Sequence, residues 1–173
     1  QVVGVEALNE KSEAVYFRAH RAVIFGSGGF THNPEMRLNY LRGPVFGGCA
    51  VLTNQGDLIS MASEVGAKLD NLAHAWWAQA VLEEVLANPS PPTDIFAVPG
   101  DSMIEVNKYG QRVMDEKAVY NERTQVHFAW DPLKGEYPNL FLFMIYDERV
   151  ARIWGGGPLR SGYPIPSAGE QNP

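Results

Sequence analysis

Hydrophobic and polar positions alternate near the start of the chain and then give way to an uninterrupted apolar run. Val3 and Val5, followed by Val15 and Phe17, lie on either side of a polar turn, which predicts a β-hairpin with a long loop. The apolar run 22–25 does not alternate with polar residues. We therefore expect a strand that is buried on both faces, as in a parallel sheet.

The middle of the chain follows the spacing of helices. Asn33 followed by Pro34 is typical of a helix start, because Asn caps the first turn and Pro fits its geometry. Between Gly56 and Leu69, apolar side chains recur three and four residues apart, which predicts a second helix. A third helix is expected over Ala73–Ala87, before a proline-rich stretch.

Strand patterns return in the second half of the chain. Met103–Val106 and Arg112–Met114 flank a turn in which Gly110 is placed for a positive φ, so we expect a second hairpin. Leu140–Tyr146 is the last predicted strand, and Asp147 is expected to cap a short helix after it. Together these elements indicate a chain of mixed helices and small sheets.

Composition narrows the function classes. The 173 residues are 45% apolar and 20% charged, which is ordinary for a globular protein. The net charge of −6, without a basic cluster, argues against nucleic-acid binding. No apolar run reaches the ~20 residues of a membrane-spanning helix. A single cysteine, Cys49, excludes an internal disulfide and fits a reducing, cytoplasmic compartment.

A glycine-rich run is the first candidate for chemistry. Gly26, Ser27, Gly28 and Gly29 follow the apolar run and precede the first predicted helix. Such a run can bring backbone N–H groups close to the oxygens of a nucleotide. It can equally be a tight turn that needs positive φ, and taken alone it is better explained as that turn.

Two further segments carry candidate polar groups. Gly56 allows close approach and Asp57 can accept hydrogen bonds from ligand hydroxyls, as in a sugar or ribityl chain, although helix capping is the simpler explanation. Beyond the second hairpin lie Arg112, Glu116 and Tyr120. A tyrosine can serve as an acid or base when a neighbour supports it. The alternative is an ordinary surface hairpin with salt-bridging side chains.

Other reactive residue types point to no site. The histidines show no metal-binding spacing with the cysteine or the acids, so no metal site is predicted: His20, His32, His74 and His127. Ser27 does not lie in a G-x-S-x-G motif, so hydrolase chemistry has no support. Trp76 and Trp77 are expected to pack in the core.

Four segments occur in the order found in one group of flavoproteins. RAVIFGSGGFTHNPEM resembles RAVILATGGF-x-x-N-x-EM, and TNQGDLISMASEVGAKL resembles TGDGI-x-MA-x-x-x-GA. IEVNKYGQRVMDEKAVY resembles I-x-VN-x-x-G-x-RF-x-NE-x-x-x-Y, and FLFMIYDER resembles the strand that follows it, with its trailing Asp. The chain thus resembles the fumarate reductase / succinate dehydrogenase / 3-ketosteroid dehydrogenase superfamily.

The resemblance implies an FAD-dependent oxidoreductase of the α+β class that moves a hydride between a substrate C–C bond and the flavin. Residues 1–50 would be part of a Rossmann-like FAD-binding domain. Residues 51–155 would form a substrate or cap domain with a small antiparallel sheet and helices, and residues 156–173 a loop or disordered tail.

The same resemblance implies roles for the candidate residues. The run Gly26–Gly29 would line the FAD, and Gly56 and Asp57 would lie near the flavin. Tyr120 stands where fumarate reductases carry an arginine, and it matches the NE-x-x-x-Y pattern of ketosteroid-dehydrogenase-like members, in which the tyrosine is the catalytic acid or base. The implied substrate is a small molecule, ketosteroid-like or otherwise apolar. Arg112 and Glu116 would support the local structure.

The chain also departs from the family pattern. Leu58 replaces the second glycine of the Gly-Asp-Gly run and Val113 replaces a phenylalanine, while no G-x-G-x-x-G motif occurs. We therefore expect an internal fragment of a longer flavoprotein. By itself it would bind FAD poorly, lack activity and self-associate through exposed apolar faces. The alternative is a non-catalytic α+β module, derived from a flavoprotein cap, that binds another ligand or a subunit.

Overall fold

The computed structural model describes residues 2–90, 98 and 102–154. Within these residues the chain folds into short helices and two small antiparallel sheets, which confirms the α+β class. The elements in chain order are β1 (Gly4–Leu8), β2 (Ala14–Arg18), α1 (Pro34–Tyr40), α2 (Asp57–Glu64), α3 (Leu82–Ala87), β3 (Met103–Val106), α4 (Tyr120–Arg123), a 3-10 helix (Thr124–Phe128), β4 (Phe143–Tyr146) and α5 (Glu148–Trp154).

The first hairpin forms as predicted. β1 and β2 pair antiparallel from Gly4 opposite Arg18 onward. The side-chain oxygen of Asn9 accepts hydrogen bonds from the backbone N–H groups of Lys11, at 2.9 Å, and Glu13, at 3.0 Å. These bonds close the turn, because Asn can replace the backbone as an acceptor there.

The predicted buried strand at 22–25 is wrong. These residues form no strand, and the side chain of Ile24 is 92% exposed. A strand is stable only when neighbouring strands satisfy its backbone N–H and C=O groups. No described residue of the chain pairs with this segment, so the segment does not become a strand despite its apolar side chains.

The helix starts agree better with prediction than the helix ends. Asn33 caps α1, since its side chain accepts a hydrogen bond from the N–H of Met36 at 3.0 Å. α2 begins at Asp57 as expected but ends at Glu64, well before Leu69. Gly66 follows with φ +72°, a conformation that helices do not continue through.

The predicted helix over Ala73–Ala87 is wrong in its first half. Only α3 is helical, whereas residues 74–80 are not. The N–H of Trp77 donates to the side-chain oxygen of Asn121 at 3.0 Å, a tertiary contact that replaces a helical hydrogen bond. Long-range packing here overrides the helical spacing of the apolar residues.

The second sheet lies against a buried apolar cluster. β3 pairs antiparallel with β4, with Met103 opposite Tyr146. The predicted strand 112–114 is wrong, because β3 takes β4 as its partner and only Arg112 forms a bridge with Val106. Gly110 has φ +71°, as its place in the turn before Arg112 predicts. The buried cluster consists of Val98, Met103, Val150 and Ala151.

The end of the described chain confirms one prediction and leaves another open. The carboxylate of Asp147 accepts a hydrogen bond from the N–H of Val150 at 2.8 Å and so caps α5. The domain division at residues 50 and 155 stays a prediction, and the predicted tail, 156–173, lies outside the described residues. None of the helices in the described part is long and apolar enough to cross a membrane.

Candidate functional site

The glycine run and the start of α2 meet in the folded chain. The N–H of Gly56 donates to the carbonyl oxygen of Gly29 at 3.1 Å, and the N–H of His32 donates to that of Asn54 at 3.1 Å. The predicted flavin-side residues are therefore neighbours in space, although about thirty residues separate them in the chain. Asp57 is exposed at the first position of α2.

The glycines of this surface differ in what they do. Gly28 has φ +78°, and a Cβ there would lie 2.5 Å from the Asn54 side chain. Gly56 has φ +87°, and a Cβ there would lie 2.3 Å from the Met36 sulfur. Both are needed by the packing of the turn itself. At Gly26 and Gly29, by contrast, no atom of a described residue other than the chain neighbours lies within 4 Å of such a Cβ. These two positions leave the backbone open to a ligand.

A cavity of about 450 Å³ begins at this surface. Gly29 and Phe30 are among the residues that line it, together with residues 44–50, residues 74–80 and part of the 3-10 helix. A volume of this size is within the range of small-molecule sites. Among the described residues that line it there is no Lys, Arg, Asp or Glu, so its walls carry no fixed charge of those types.

Tyr120 lies beside this cavity rather than in its lining. Its ring stacks on that of Trp76, with centroids 6.3 Å apart and planes 23° from parallel, and Trp76 does line the cavity. Next to it, the ring of Trp77 is buried against Phe128 at 4.7 Å. The structure thus places the candidate acid or base next to Trp76, which lines the same apolar cavity as Gly29. Trp77 packs in the core as expected, whereas Trp76 is exposed.

Arg112 and Glu116 form a tight ion pair below the second sheet. The Arg112 Nη2 lies 2.6 Å from the Glu116 Oε2, and the Glu116 side chain is only 2% exposed. The same carboxylate accepts a hydrogen bond from the N–H of Glu105 at 2.9 Å. Burial acts to raise the pKa of Glu116, but these hydrogen bonds together lower it below its ordinary value. The pair thus holds the segment 112–116, which follows the turn, against strand β3.

A polar network joins Gln79, Glu105 and His127, and the sequence did not predict it. The Gln79 amide nitrogen donates to the Glu105 carboxylate at 2.8 Å and lies 3.0 Å from the His127 Nε2. Burial raises the pKa of Glu105, whose Oε1 has no hydrogen-bond partner in the described part of the chain. A polar residue in a short strand normally indicates a solvent-facing position, so no local signal separates this buried acid from a surface one.

The hydrogen bonds of His127 define its tautomer. Its Nδ1 lies 3.1 Å from the carbonyl oxygen of Leu140, which can only accept, so Nδ1 carries the hydrogen. Its Nε2 then accepts from the Gln79 amide. Burial lowers the pKa of His127, because the imidazolium would lose its hydration. His127 is thus a neutral, structural histidine in the wall of the cavity.

His127 makes folding stability depend on pH. In the unfolded chain it takes up a proton near its ordinary pKa of 6.5, and in the folded chain only below that value. The unfolded state therefore binds more protons, and the free energy of unfolding falls as pH drops through 6.5. Between about pH 7.5 and pH 5.5, urea titrations should show wild type losing about 1 kcal/mol more than His127→Gln.

The matched control for this titration is His20→Gln, which alters an exposed histidine. It should lose stability as steeply as wild type. Glu105 has its pKa raised, so it acts in the opposite direction and is present in all three proteins. If His127→Gln retains the full pH dependence of wild type, the assignment of a neutral, desolvated His127 is wrong.

Among the described residues, no group of three or more His, Cys, Asp or Glu side chains could hold a metal ion. The site is instead a set of open glycine backbone, an exposed carboxylate, an apolar cavity and an adjacent tyrosine. That combination is typical of proteins that hold a large organic cofactor against an apolar substrate.

Comparison with known proteins defines the class. Residues 1–146 match the family described as FAD binding domain, so the chain belongs to that family of flavoproteins. The match confirms FAD as the predicted cofactor, and the relatives that follow confirm the ketosteroid-dehydrogenase-like side of the resemblance. The chain is 33% identical over 162 residues to 3-oxosteroid 1-dehydrogenase of Mycobacterium tuberculosis (strain ATCC 25618 / H37Rv), an alignment that covers 91% of this chain and 28% of that relative.

Other relatives extend this picture. The chain is 32% identical to 3-oxosteroid 1-dehydrogenase of Mycolicibacterium smegmatis, over 91% of this chain and 28% of that protein. It is 27% identical to 4-oxocyclohexanecarboxylate 2-dehydrogenase of Sinomonas cyclohexanicum, over 86% and 26%. The crystal structure of 3-ketosteroid delta1-dehydrogenase from Sterolibacterium denitrificans, in complex with 1,4-androstadiene-3,17-dione, shares the fold, with TM-score 0.71 and 24% identity over 99% of this chain and 29% of that one.

Proposed function

We propose that this chain is an internal part of an FAD-dependent dehydrogenase or reductase that acts on a neutral, apolar ring ketone. The observation that carries the proposal is the cavity, whose lining includes both Gly29 and Trp76, the residue on which Tyr120 stacks. The chain spans about 28% of the 3-oxosteroid 1-dehydrogenases that it matches, so the activity is proposed for the whole protein.

The residues present fit an FAD molecule. Gly26 and Gly29 leave open space where a side chain would otherwise stand, and Ser27 adds a hydroxyl between them. Backbone N–H groups in such a turn suit the oxygens of the cofactor, while the exposed carboxylate of Asp57 suits its ribityl hydroxyls. Gly28 and Gly56 would keep the turn in shape. When bound, FAD supplies the hydride acceptor or donor of the reaction.

Tyr120 is proposed to handle the proton. In dehydrogenation a hydride leaves one carbon, a proton leaves its neighbour beside the carbonyl group, and the electron pair of that second C–H bond forms the new C=C bond. The oxygen of Tyr120, as a phenolate, takes the proton and becomes the phenol, which returns that proton in the reverse direction. Its stacking on Trp76 fixes the ring plane at the cavity edge. Arg112 and Glu116 lie elsewhere in the same unit and are proposed to hold it together.

The cavity favours a neutral substrate over a carboxylate. Its described lining combines aromatic and aliphatic side chains with a neutral His127, and it contains no cationic Lys or Arg side chain. A carboxylate that enters such a site loses its hydration without gaining a partner. The names of the 3-oxosteroid relatives support the neutral class, whereas that of the 4-oxocyclohexanecarboxylate relative represents the charged alternative.

Steady-state kinetics of the FAD-loaded whole protein test this proposal. With a neutral ring ketone and a ring ketone of similar size that carries a carboxylate, we expect kcat/KM to favour the neutral compound by about a hundredfold. A preference for the carboxylate would contradict the substrate class. Bound flavin that neither compound reduces or reoxidises would instead favour the non-catalytic module.

Two further expectations belong to the proposal. The single cysteine is the basis for a cytoplasmic location. Self-association is supported by exposed apolar side chains on the first hairpin and the segment after it, among them Val3, Phe17 and Ile24.

A further inference from the structure

Two neighbouring contacts join the segment 74–80 to α4. The ring of Trp76 stacks on that of Tyr120, with centroids 6.3 Å apart. One residue further along both segments, the backbone N–H of Trp77 donates to the side-chain oxygen of Asn121 at 3.0 Å. The ring contact and the hydrogen bond therefore connect the same two stretches of backbone, which lie 44 residues apart in the chain.

The hydrogen bond restrains the backbone directly beside the stacked pair. The Trp76 side chain is 82% exposed, so the described residues cover little of its ring apart from the face that meets Tyr120. Exposed side chains change rotamer within nanoseconds when nothing holds them. The backbone of residues 74–80 is not helical, so it lacks the restraint of helical hydrogen bonds. The bond from Trp77 to Asn121 supplies a restraint in their place.

The helix that carries both Tyr120 and Asn121 is fixed in turn. The Arg123 guanidinium donates to the carbonyl oxygen of Glu116 at 3.0 Å, and the Thr124 hydroxyl donates to that of Tyr120 at 2.6 Å. Arg123 and Thr124 are both buried. Tyr120 and Asn121 thus lie on one anchored turn, and the hydrogen bond of Asn121 decides where the neighbouring segment with Trp76 stands.

Asn121 acts from outside the cavity. It does not line the cavity, whereas Trp76 and Trp77 do. Removing its side-chain oxygen takes away no contact to a molecule in the cavity, but it releases the backbone that carries Trp76. Displacing a reacting group by about 1 Å can lower a rate about a hundredfold, because proton transfer needs close alignment. An effect on the chemical step without an effect on binding is therefore expected.

We propose that Asn121 is a positioning residue for Tyr120. By accepting the hydrogen bond from Trp77 it keeps the Trp76 ring against the Tyr120 ring, where an offset stack is favourable. The stack limits rotation of the tyrosine ring and so keeps its oxygen aligned for proton transfer. The link to the reaction rests on the proposed function, whereas the anchored stack does not.

Fluorine NMR of the FAD-loaded whole protein tests the stack. When 3-fluorotyrosine replaces tyrosine, the signal of Tyr120 is the one that is absent from the Tyr120→Phe variant, and the indole ring current shifts it. Asn121→Ala should move this signal to the position that it has in Trp76→Ala, because both variants lose the stack. Asn121→Asp keeps an acceptor oxygen for Trp77 and should leave the signal near its wild-type position.

Steady-state kinetics with a neutral ring ketone test the positioning. Asn121→Ala should lower kcat about thirtyfold while KM changes less than about threefold, since the cavity lining is intact. Asn121→Asp should return kcat to within about fivefold of wild type, because the acceptor is restored. If circular dichroism shows that the alanine variant unfolds, Asn121→Leu replaces it. Leucine keeps the volume without an acceptor, so the expected signal and kcat are the same.

The matched control is Asn9→Ala. The side chain of Asn9 also accepts backbone N–H groups, those of Lys11 and Glu13, but on the first hairpin. Its removal should leave the fluorine signal of Tyr120 in place and kcat within about twofold of wild type.

The outcomes separate the two proposals. An unmoved fluorine signal in a folded Asn121→Ala protein would overturn the anchor. A moved signal with unchanged kcat, or a KM that rises as much as kcat falls, would overturn the positioning role while leaving the dehydrogenase proposal intact. If wild type oxidises no ring ketone but the signal still depends on Asn121 and Trp76, the dehydrogenase proposal fails and the anchored stack stands.

Discussion

Replacing Tyr120 by phenylalanine should lower kcat by about a thousandfold while KM and flavin content change less than about threefold. The substitution removes only the hydroxyl group, so the ring can still stack on Trp76 at the edge of the cavity. Substrate binding should then be retained, and the variant should lose the stabilisation of the transition state that comes from proton transfer. Stopped-flow measurement of flavin reduction in the FAD-loaded protein isolates this step.

The control for this variant is Tyr137→Phe. Tyr137 packs on Trp130 outside the cavity lining, so losing its hydroxyl should leave kcat within about twofold of wild type. A Tyr120→Phe protein that reduces its flavin at the wild-type rate would remove Tyr120 from the chemistry. The proton would then have to pass through another group, and the resemblance to the NE-x-x-x-Y pattern would be of structural origin.

Replacing Glu116 by alanine should lower the free energy of unfolding by about 3 kcal/mol. The change removes the hydrogen-bonded partner of Arg112 and leaves the N–H of Glu105 without its acceptor in a buried strand. Because the pKa of Glu116 is lowered in the folded chain, the carboxylate contributes this stability above pH 4.5 and loses it progressively as pH falls below that value. Urea unfolding near neutral pH, followed by circular dichroism, measures the loss.

The chain offers a matched control in Glu148→Ala. Glu148 and Arg152 are also an Arg–Glu pair four residues apart, but both side chains are mostly exposed on α5. Such a pair contributes less than about 1 kcal/mol, because water screens it and ordering two long side chains costs entropy. Equal losses in the two variants would show that burial of Glu116 adds nothing to the pair.

The sequence correctly predicted the caps and turns that are formed by residues close together along the chain. The Asn33 cap, the Asp147 cap and the polar turn of the first hairpin all depend on hydrogen bonds between near neighbours. The turn at Gly110 depends only on a backbone conformation that glycine adopts freely. These features could be predicted without knowing the rest of the fold.

The two largest errors in the predicted secondary structure share one physical reason. The run 22–25 has the composition of a buried strand, but strand formation needs a partner, and no described residue provides one. Residues 73–81 have helical spacing, but Trp77 and Gln79 make tertiary hydrogen bonds that hold the backbone in another conformation. In both places long-range contacts, or their lack, decide between structures that local preference leaves close in energy.

The sequence defines the class of this protein, since four motifs occur in the order of an FAD-binding family. It also identified Tyr120 and the glycine run as candidates. Contacts between distant parts of the chain bring Gly29 to Gly56, stack Tyr120 on Trp76 beside an apolar cavity, bury Glu105 and leave His127 half-buried. The order of the motifs can be read directly from the sequence. Burial and cavity shape arise from contacts between residues far apart along the chain, and no local pattern specifies those contacts.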